Sequence, residues 1–215
     1  MSTVITDIFQ DVADFRKCAP GISAQLEFDE LNSSAISAKK RITDIITTGI
    51  WDQLQTKTDS INKTLRIAYA NLIMHHPIVF NIVSMRISGG ADVYKSELET
   101  MRRQYIDNYF NAMDSLIKEL SHNNEHSPLW EATDHFKMID KLQLKTASQF
   151  NNFYGIDMSY LFFFRSVSLQ REILIEEGMA GIFERAEGKE QLIEKLHFSL
   201  SKMVVALALL RFDII

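Results

Sequence analysis

Five residues near the middle of the chain, His122-Asn123-Asn124-Glu125-His126, spell H-x-x-E-H. In an inverted zincin this order holds Zn²⁺ between two histidines while the glutamate polarises the bound water. That chemistry needs both histidines on one face of one helix, and a third ligand. Two asparagines inside the motif, Ser121 before it and Ser127-Pro128 after it are residues that end helices rather than continue them. No downstream carboxylate stands out as the third ligand. The sequence predicts a polar interhelical loop here and no metal; a zinc hydrolase built on His122 and His126 is the rival reading from the enzyme class.

The remaining reactive residue types are thinly spread. His75-His76 precedes Pro77, which places the histidines in the last turn of a helix, where imidazole favours the carbonyl end of the dipole. Cys18 is the single cysteine: it excludes an intrachain disulfide and has no neighbouring base in sequence, so it reads as a small hydrophobe. No P-loop, nucleophile elbow or dinucleotide fingerprint occurs, and Gly89-Gly90 is too little to cradle a phosphate. The expectation is a protein without catalytic residues, metal or cofactor.

Composition points the same way. The 215 residues carry a net charge of −5, which lacks the electrostatic footprint of a protein that grips phosphates. The basic clusters Lys39-Lys40-Arg41 and Arg102-Arg103 lie within amphipathic patterns and read as solvated faces. Hydrophobic residues make up 46% of the chain, with three prolines and eight glycines, so a mostly helical, packed interior is expected. Met1 to Ile8 has no basic start or apolar core of a secretory signal, and the apolar run Met203 to Leu210 is far short of the ~20 residues that span a bilayer. Neither a signal peptide nor a membrane contact is expected.

The elements follow from spacing. Ser33 or Ser34 can cap a helix with Ile42, Ile45, Ile46, Gly49 and Ile50 at three-and-four spacing, ending near Gln55. Thr58-Asp59-Ser60 restarts the pattern through Ile61, Leu65, Ala68 and Leu72, and Pro77 is expected to stop it. Val83, Met85 and Ile87 alternate with Ser84 and Arg86, which suggests a strand or extended arm. A long helix from about Val93 to Leu120, capped by Asp92, carries Leu98, Met101, Tyr105, Ala112, Leu116 and Leu120 on one face. Short helices are expected over Thr133 to Leu142 and after Thr146, where Thr146-Ala147-Ser148-Gln149 forms a capping box and Gly155 closes the helix. Two further helices cover Val167 to Arg185 and Lys189 to Phe212, with Gly188 at their turn.

Part of this pattern occurs twice. Ile45-Ile46-Thr47-Thr48-Gly49-Ile50-Trp51 lies in register with Leu174-Ile175-Glu176-Glu177-Gly178-Met179-Ala180, 129 residues on, and each copy precedes a second amphipathic run. The expected fold is mainly α: a helical bundle of two duplicated helix pairs (32–76 and 166–212) and a long central helix, with one extended arm or short β-hairpin around 79–91. An N-terminal segment or arm, 1–31, precedes a single helical domain, 32–215. Such repeats usually bury their apolar faces against one another and make scaffolds.

A scaffold needs contact surfaces. A lone strand has to pair outside its own fold, which makes Val83, Met85 and Ile87 candidates. The run Tyr160-Leu161-Phe162-Phe163-Phe164 points in several directions around a helix, so either it is buried on all sides or Phe162, Phe163 and Phe164 include anchors for a partner. The apolar end with Ile214 and Ile215 poses the same choice.

The order of these elements resembles a family of head-tail connector, or neck, proteins of phages and prophages of Bacteroides-type gut bacteria, including the crAss-like phages. The resemblance covers Ala38 to Leu210. It lies in Ala38 to Leu54 with Gly49, the tyrosine-rich helix Val93 to Leu120, the loop Ser127-Pro128-Leu129-Trp130, Thr146-Ala147-Ser148-Gln149-Phe150-Asn151 with Tyr154, and the second helix pair around Gly178. It implies a structural virion subunit, assembled in the host cytoplasm into a homo-oligomeric ring with about twelve-fold symmetry if it follows the portal. The implied partners are the portal and other neck or tail proteins, with DNA passing through the channel without specific binding. A tail-completion or terminator protein is the second structural reading, and a cellular adaptor for partner helices a third.

Overall fold

Apolar residues at helical spacing dominate nearly every segment, and among the described residues every regular element of the computed structural model is a helix. The structure describes residues 4–21, 26–87, 92–122, 125 and 127–212, with 77–87 and 92–95 described by their backbone alone. Among the described residues a 3₁₀ turn, Val4–Asp7, is followed by α1 (Val12–Arg16), α2 (Phe28–Ile46), α3 (Thr48–Gln55), α4 (Ser60–Ile87), α5 (Asp92–His122), α6 (Ser127–Glu131), α7 (Asp134–Ile139), α8 (Ala147–Phe153), α9 (Tyr160–Ile175), α10 (Met179–Arg185) and α11 (Glu190–Arg211). The chain divides into two units, Met1–Glu119 and Leu120–Ile215.

Unit 1 is built on the pairing of α2 with α4, with α3 packed on both. Leu31, Ala35, Ala38, Ile42 and Ile46 form the buried stripe of α2, at the i, i+4, i+7, i+11, i+15 spacing of one helix face. That stripe begins two residues before the first serine expected to cap the helix. Ser33 and Ser34 lie inside α2, whose start at Phe28 is favoured instead by Asp29 and Glu30 in the first turn. The restart before α4 is as expected: Asp59 Oδ1 accepts the Asn62 N–H at 3.1 Å.

Two expected breaks move. Pro77 does not stop α4, which runs on through residues 79–87, so the extended arm or hairpin is corrected there to helix; residues 88–91 lie outside the described residues. Alternation over Val83, Met85 and Ile87 spans too few residues to identify a strand, and extending a helix already nucleated at Ser60 is far easier than starting one. Conversely, the helix expected to run to Gln55 bends at Thr47, where φ is 73° and ψ 154°.

The N-terminal residues belong to the interior of unit 1. Ile5, Phe9, Phe15 and Ala19 are buried; Phe9 stands edge-on to Phe15 with centroids 4.9 Å apart and stacks on Tyr69 of α4 at 6.3 Å. Asp11 caps α1 by accepting the Asp14 N–H at 2.8 Å.

In unit 2, α9 packs against α11, and α7, α8 and α10 pack on α9. Ser159 caps α9 through the Phe162 N–H at 3.0 Å. Thr146 caps α8 by accepting the Gln149 N–H at 3.0 Å, but the Gln149 side chain reaches one residue further back than a capping box requires, to the Lys145 N–H at 2.8 Å. The turn after α8 is closed by Asn151, not by Gly155: Asn151 Oδ1 accepts the N–H groups of Ile156 and Met158 at 3.0 and 3.1 Å, while Asp157 and Met158 take positive φ. The expected helix 167–185 is interrupted at Gly178, with φ 68°, and Gly188 makes the turn into α11 as expected.

Candidate functional site

The residues singled out for zinc chemistry are not presented by one helix. Helix α5 ends at His122, and Glu125 lies in a turn; His126 lies outside the described residues. The His122 ring packs edge-on against Tyr160, centroids 5.6 Å apart. Among the described residues no group of three or more His, Cys, Asp or Glu side chains is placed to hold a metal.

Among the described residues a buried polar cluster lies in unit 1, with no motif in the sequence to mark it. Asn71, on α4, is buried. Its Nδ2 donates to the Cys18 carbonyl at 2.9 Å and to the Ile67 carbonyl at 2.8 Å, and its Oδ1 accepts from Asn108 Nδ2 of α5 at 3.1 Å. Nearby, Arg66 pairs with Asp14 and lies over the Phe9 ring, 4.9 Å from its centroid, and Tyr105 donates its hydroxyl to the Pro20 carbonyl. The Asp14 carboxyl is held below its ordinary 3.8 by the hydrogen bond from Arg66, against the opposing effect of burial. The contacts of Asp14, Phe9, Cys18 and Pro20 tie the first twenty residues to α4 or α5, and Asn108 links α5 to α4 through Asn71. The paired residues lie 52 to 85 positions apart in the chain, and no sequence periodicity marks such pairs.

This cluster fastens rather than reacts. Burial raises the Cys18 thiol above 9.0, which keeps it protonated and weakly nucleophilic. Burial, reinforced by the charge of Asp7, pushes the Tyr69 phenol far above 10.0, so its hydroxyl remains a donor to the Ala35 carbonyl at 3.2 Å.

His75 and His76 sit within α4, not in its last turn, because the helix continues past them. His75 Nδ1 lies 3.4 Å from the Arg102 carbonyl. Burial lowers both imidazoles below 6.5; the Arg102 carbonyl opposes this at His75, while the charge of Arg41 adds to it at both. With folded values below the unfolded one, the unfolded chain binds protons more readily as the pH drops. Their stabilising contribution is complete above about 6.5 and is lost as pH falls through the depressed values. The urea midpoint of unit 1, followed by Trp51 fluorescence in a Trp130→Phe background, is expected to fall between about pH 7.5 and about pH 5.5, with the double variant His75→Gln/His76→Gln flattening that dependence.

The expected contact residues divide. Phe163 and Phe164 are buried within unit 2. Phe162 is partly buried between Phe150 and Phe212, at 5.9 and 6.2 Å. Val83, Met85 and Ile87 lie on the helical backbone of α4, and Ile214 and Ile215 lie outside the described residues. A different set is exposed: Ile175 at the end of α9 is 61% accessible, and Leu209 and Leu210 on α11 are 63% and 82% accessible. The open concavity lined by residues 188–192 at the α10–α11 turn brings one lysine and one glutamate together and no converging reactive set. Among the described residues no helix is long and apolar enough to cross a membrane. No family model, curated protein or solved structure matches the chain.

Proposed function

We propose that the chain is a structural subunit of a phage virion, one protomer of the head-to-tail connector ring between portal and tail. The observation that carries this reading is the pairing of the resemblance, which is a fixed order of helical elements, with large apolar side chains left in solvent at the end of α11. Leu209 and Leu210 are the most exposed of the large hydrophobic residues described, and this reading takes the pair as part of an apolar contact with a neighbouring subunit. A closed ring uses heterologous contacts, so the α11 end joins Val83, Met85 and Ile87 as candidate surface between copies.

In this reading α2–α3–α4 and α9–α10–α11 are the two copies of a duplicated element: a long helix, a short one, then a long one. A net charge of −5 suits a channel wall, because it avoids the multiple phosphate contacts that would arrest sliding DNA. The test is the copy number of this chain relative to the portal protein in purified particles, by quantitative mass spectrometry. A ratio near one, or a small whole multiple, is expected; absence from particles would overturn the proposal.

A further inference from the structure

The stretch Ile45–Trp51 and its counterpart Leu174–Ala180 are both bent, and the two bends are made differently. Between α9 and α10 the bend falls on Gly178, with φ 68° and ψ 15°, a left-handed conformation that glycine adopts without steric penalty. Between α2 and α3 it falls on Thr47, with φ 73° and ψ 154°, a region open essentially to glycine alone and one a β-branched residue enters only under constraint. A glycine is close by, but not at the bend: Gly49 lies inside α3 without a positive φ.

The constraint does not act on Thr47 directly, since Thr47, Thr48 and Gly49 are all exposed. It comes from the burial of Ile46 on one side and of Ile50, Trp51 and Leu54 on the other. The backbone on both sides already follows helical bonding: the Thr47 N–H donates to the Thr43 carbonyl at 2.8 Å, and the Thr47 carbonyl accepts from the Trp51 N–H at 3.2 Å. Ile42, Ile46, Ile50 and Leu54 repeat every four residues, as along one helix. Thr47 caps α3 without a side-chain hydrogen bond, so the first donors of α3 would gain partners if the ladder closed.

We infer that the α2–α3 junction is a two-state hinge. In its second state Thr47 relaxes into the right-handed region, α2 and α3 fuse into one helix over residues 28–55, and the face bearing Ile50, Trp51 and Leu54 is released from α4. The bent state predominates, because only there are these side chains buried.

Proline at residue 48 separates straightening from local unfolding. It suits the first position of α3, and the ψ of Thr47, 154°, avoids the clash that proline makes with a preceding residue of helical ψ, whereas a continuous helix excludes it. In a Cys18→Ser background, the rate at which a thiol reagent labels Leu54→Cys reports release of α3, and Ile42→Cys, buried on α2, reports global unfolding. Leu54→Cys is expected to react at least tenfold faster than Ile42→Cys. Thr48→Pro should slow it by about a hundredfold, the equilibrium equivalent of proline in a helix interior, with little change at Ile42→Cys. Thr47→Gly, which relieves the bent backbone, should slow it as well. Equal rates at the two positions, or slowing by Thr48→Pro of less than tenfold, would overturn the hinge.

Discussion

Phe9→Ala is expected to remove about 3–5 kcal/mol from the stability of unit 1, the range for truncating a buried phenylalanine. The side chain is 1% exposed and meets three different groups: the edge of Phe15, the face of Tyr69 and the guanidinium of Arg66. Alanine there loses the transfer energy of the ring and leaves a cavity between rings anchored on α1 and α4. It also strips Arg66 of the surface over which it reaches Asp14. Against a total stability of roughly 5–15 kcal/mol for a domain, this is a large fraction. The measurement is a urea titration followed by Trp51 fluorescence in a Trp130→Phe background. A residue in a separable N-terminal arm would change the midpoint little, by about 0.5 kcal/mol or less, so the titration also decides between an arm and an integral element.

Helix content and most helix positions were legible in the sequence because three-and-four spacing is a local signal. The Thr146 cap, the Asp59 restart and the Gly188 turn were legible for the same reason: each is decided within four residues. What was not legible depends on contacts distant in sequence. Phe9 and Phe15 sit in a segment of weak periodicity, and they are core residues only because Tyr69 and Phe28 supply the opposing rings. The stripe of α5 is wider than spacing suggested: Ile106, Tyr109, Met113 and Ile117 are buried alongside Tyr105, Ala112, Leu116 and Leu120, whereas Met101 is 37% exposed. Pro77 shows the converse, since a local rule for stopping a helix gave way to one already established over the preceding four turns. At Thr47 the local pattern favours a continuous helix and the burial of α3 against α4 prevails. The asparagines and flanking serines of the zinc motif are local helix-ending signals too, and α5 ends at its first histidine.

Asn71→Ala is expected to cost about 2–4 kcal/mol, more than its size suggests, because three hydrogen bonds converge on one buried amide. Each bond contributes roughly 1 kcal/mol net, but a buried group left without a partner adds about 1–3 kcal/mol. The Cys18 carbonyl is the group at risk, since the Ile67 carbonyl lies within the regular bonding of α4. Asn108→Ala should cost less, because Asn108 is only partly buried and its other bond, from Gln104 at 3.0 Å, is exposed. If the network acts as a unit, the double variant Asn71→Ala/Asn108→Ala will be destabilised by less than the sum of the single variants, with a coupling of about 0.5–1.5 kcal/mol. Additive losses would mean that Asn71 acts through the Cys18 carbonyl alone, and that Asn108 takes no part in fastening it, leaving Tyr105 as the hold of α5 on the N-terminal segment. The same urea titrations supply all four corners of that cycle, and the outcome decides whether Asn108 supports the amide that holds the Cys18 carbonyl.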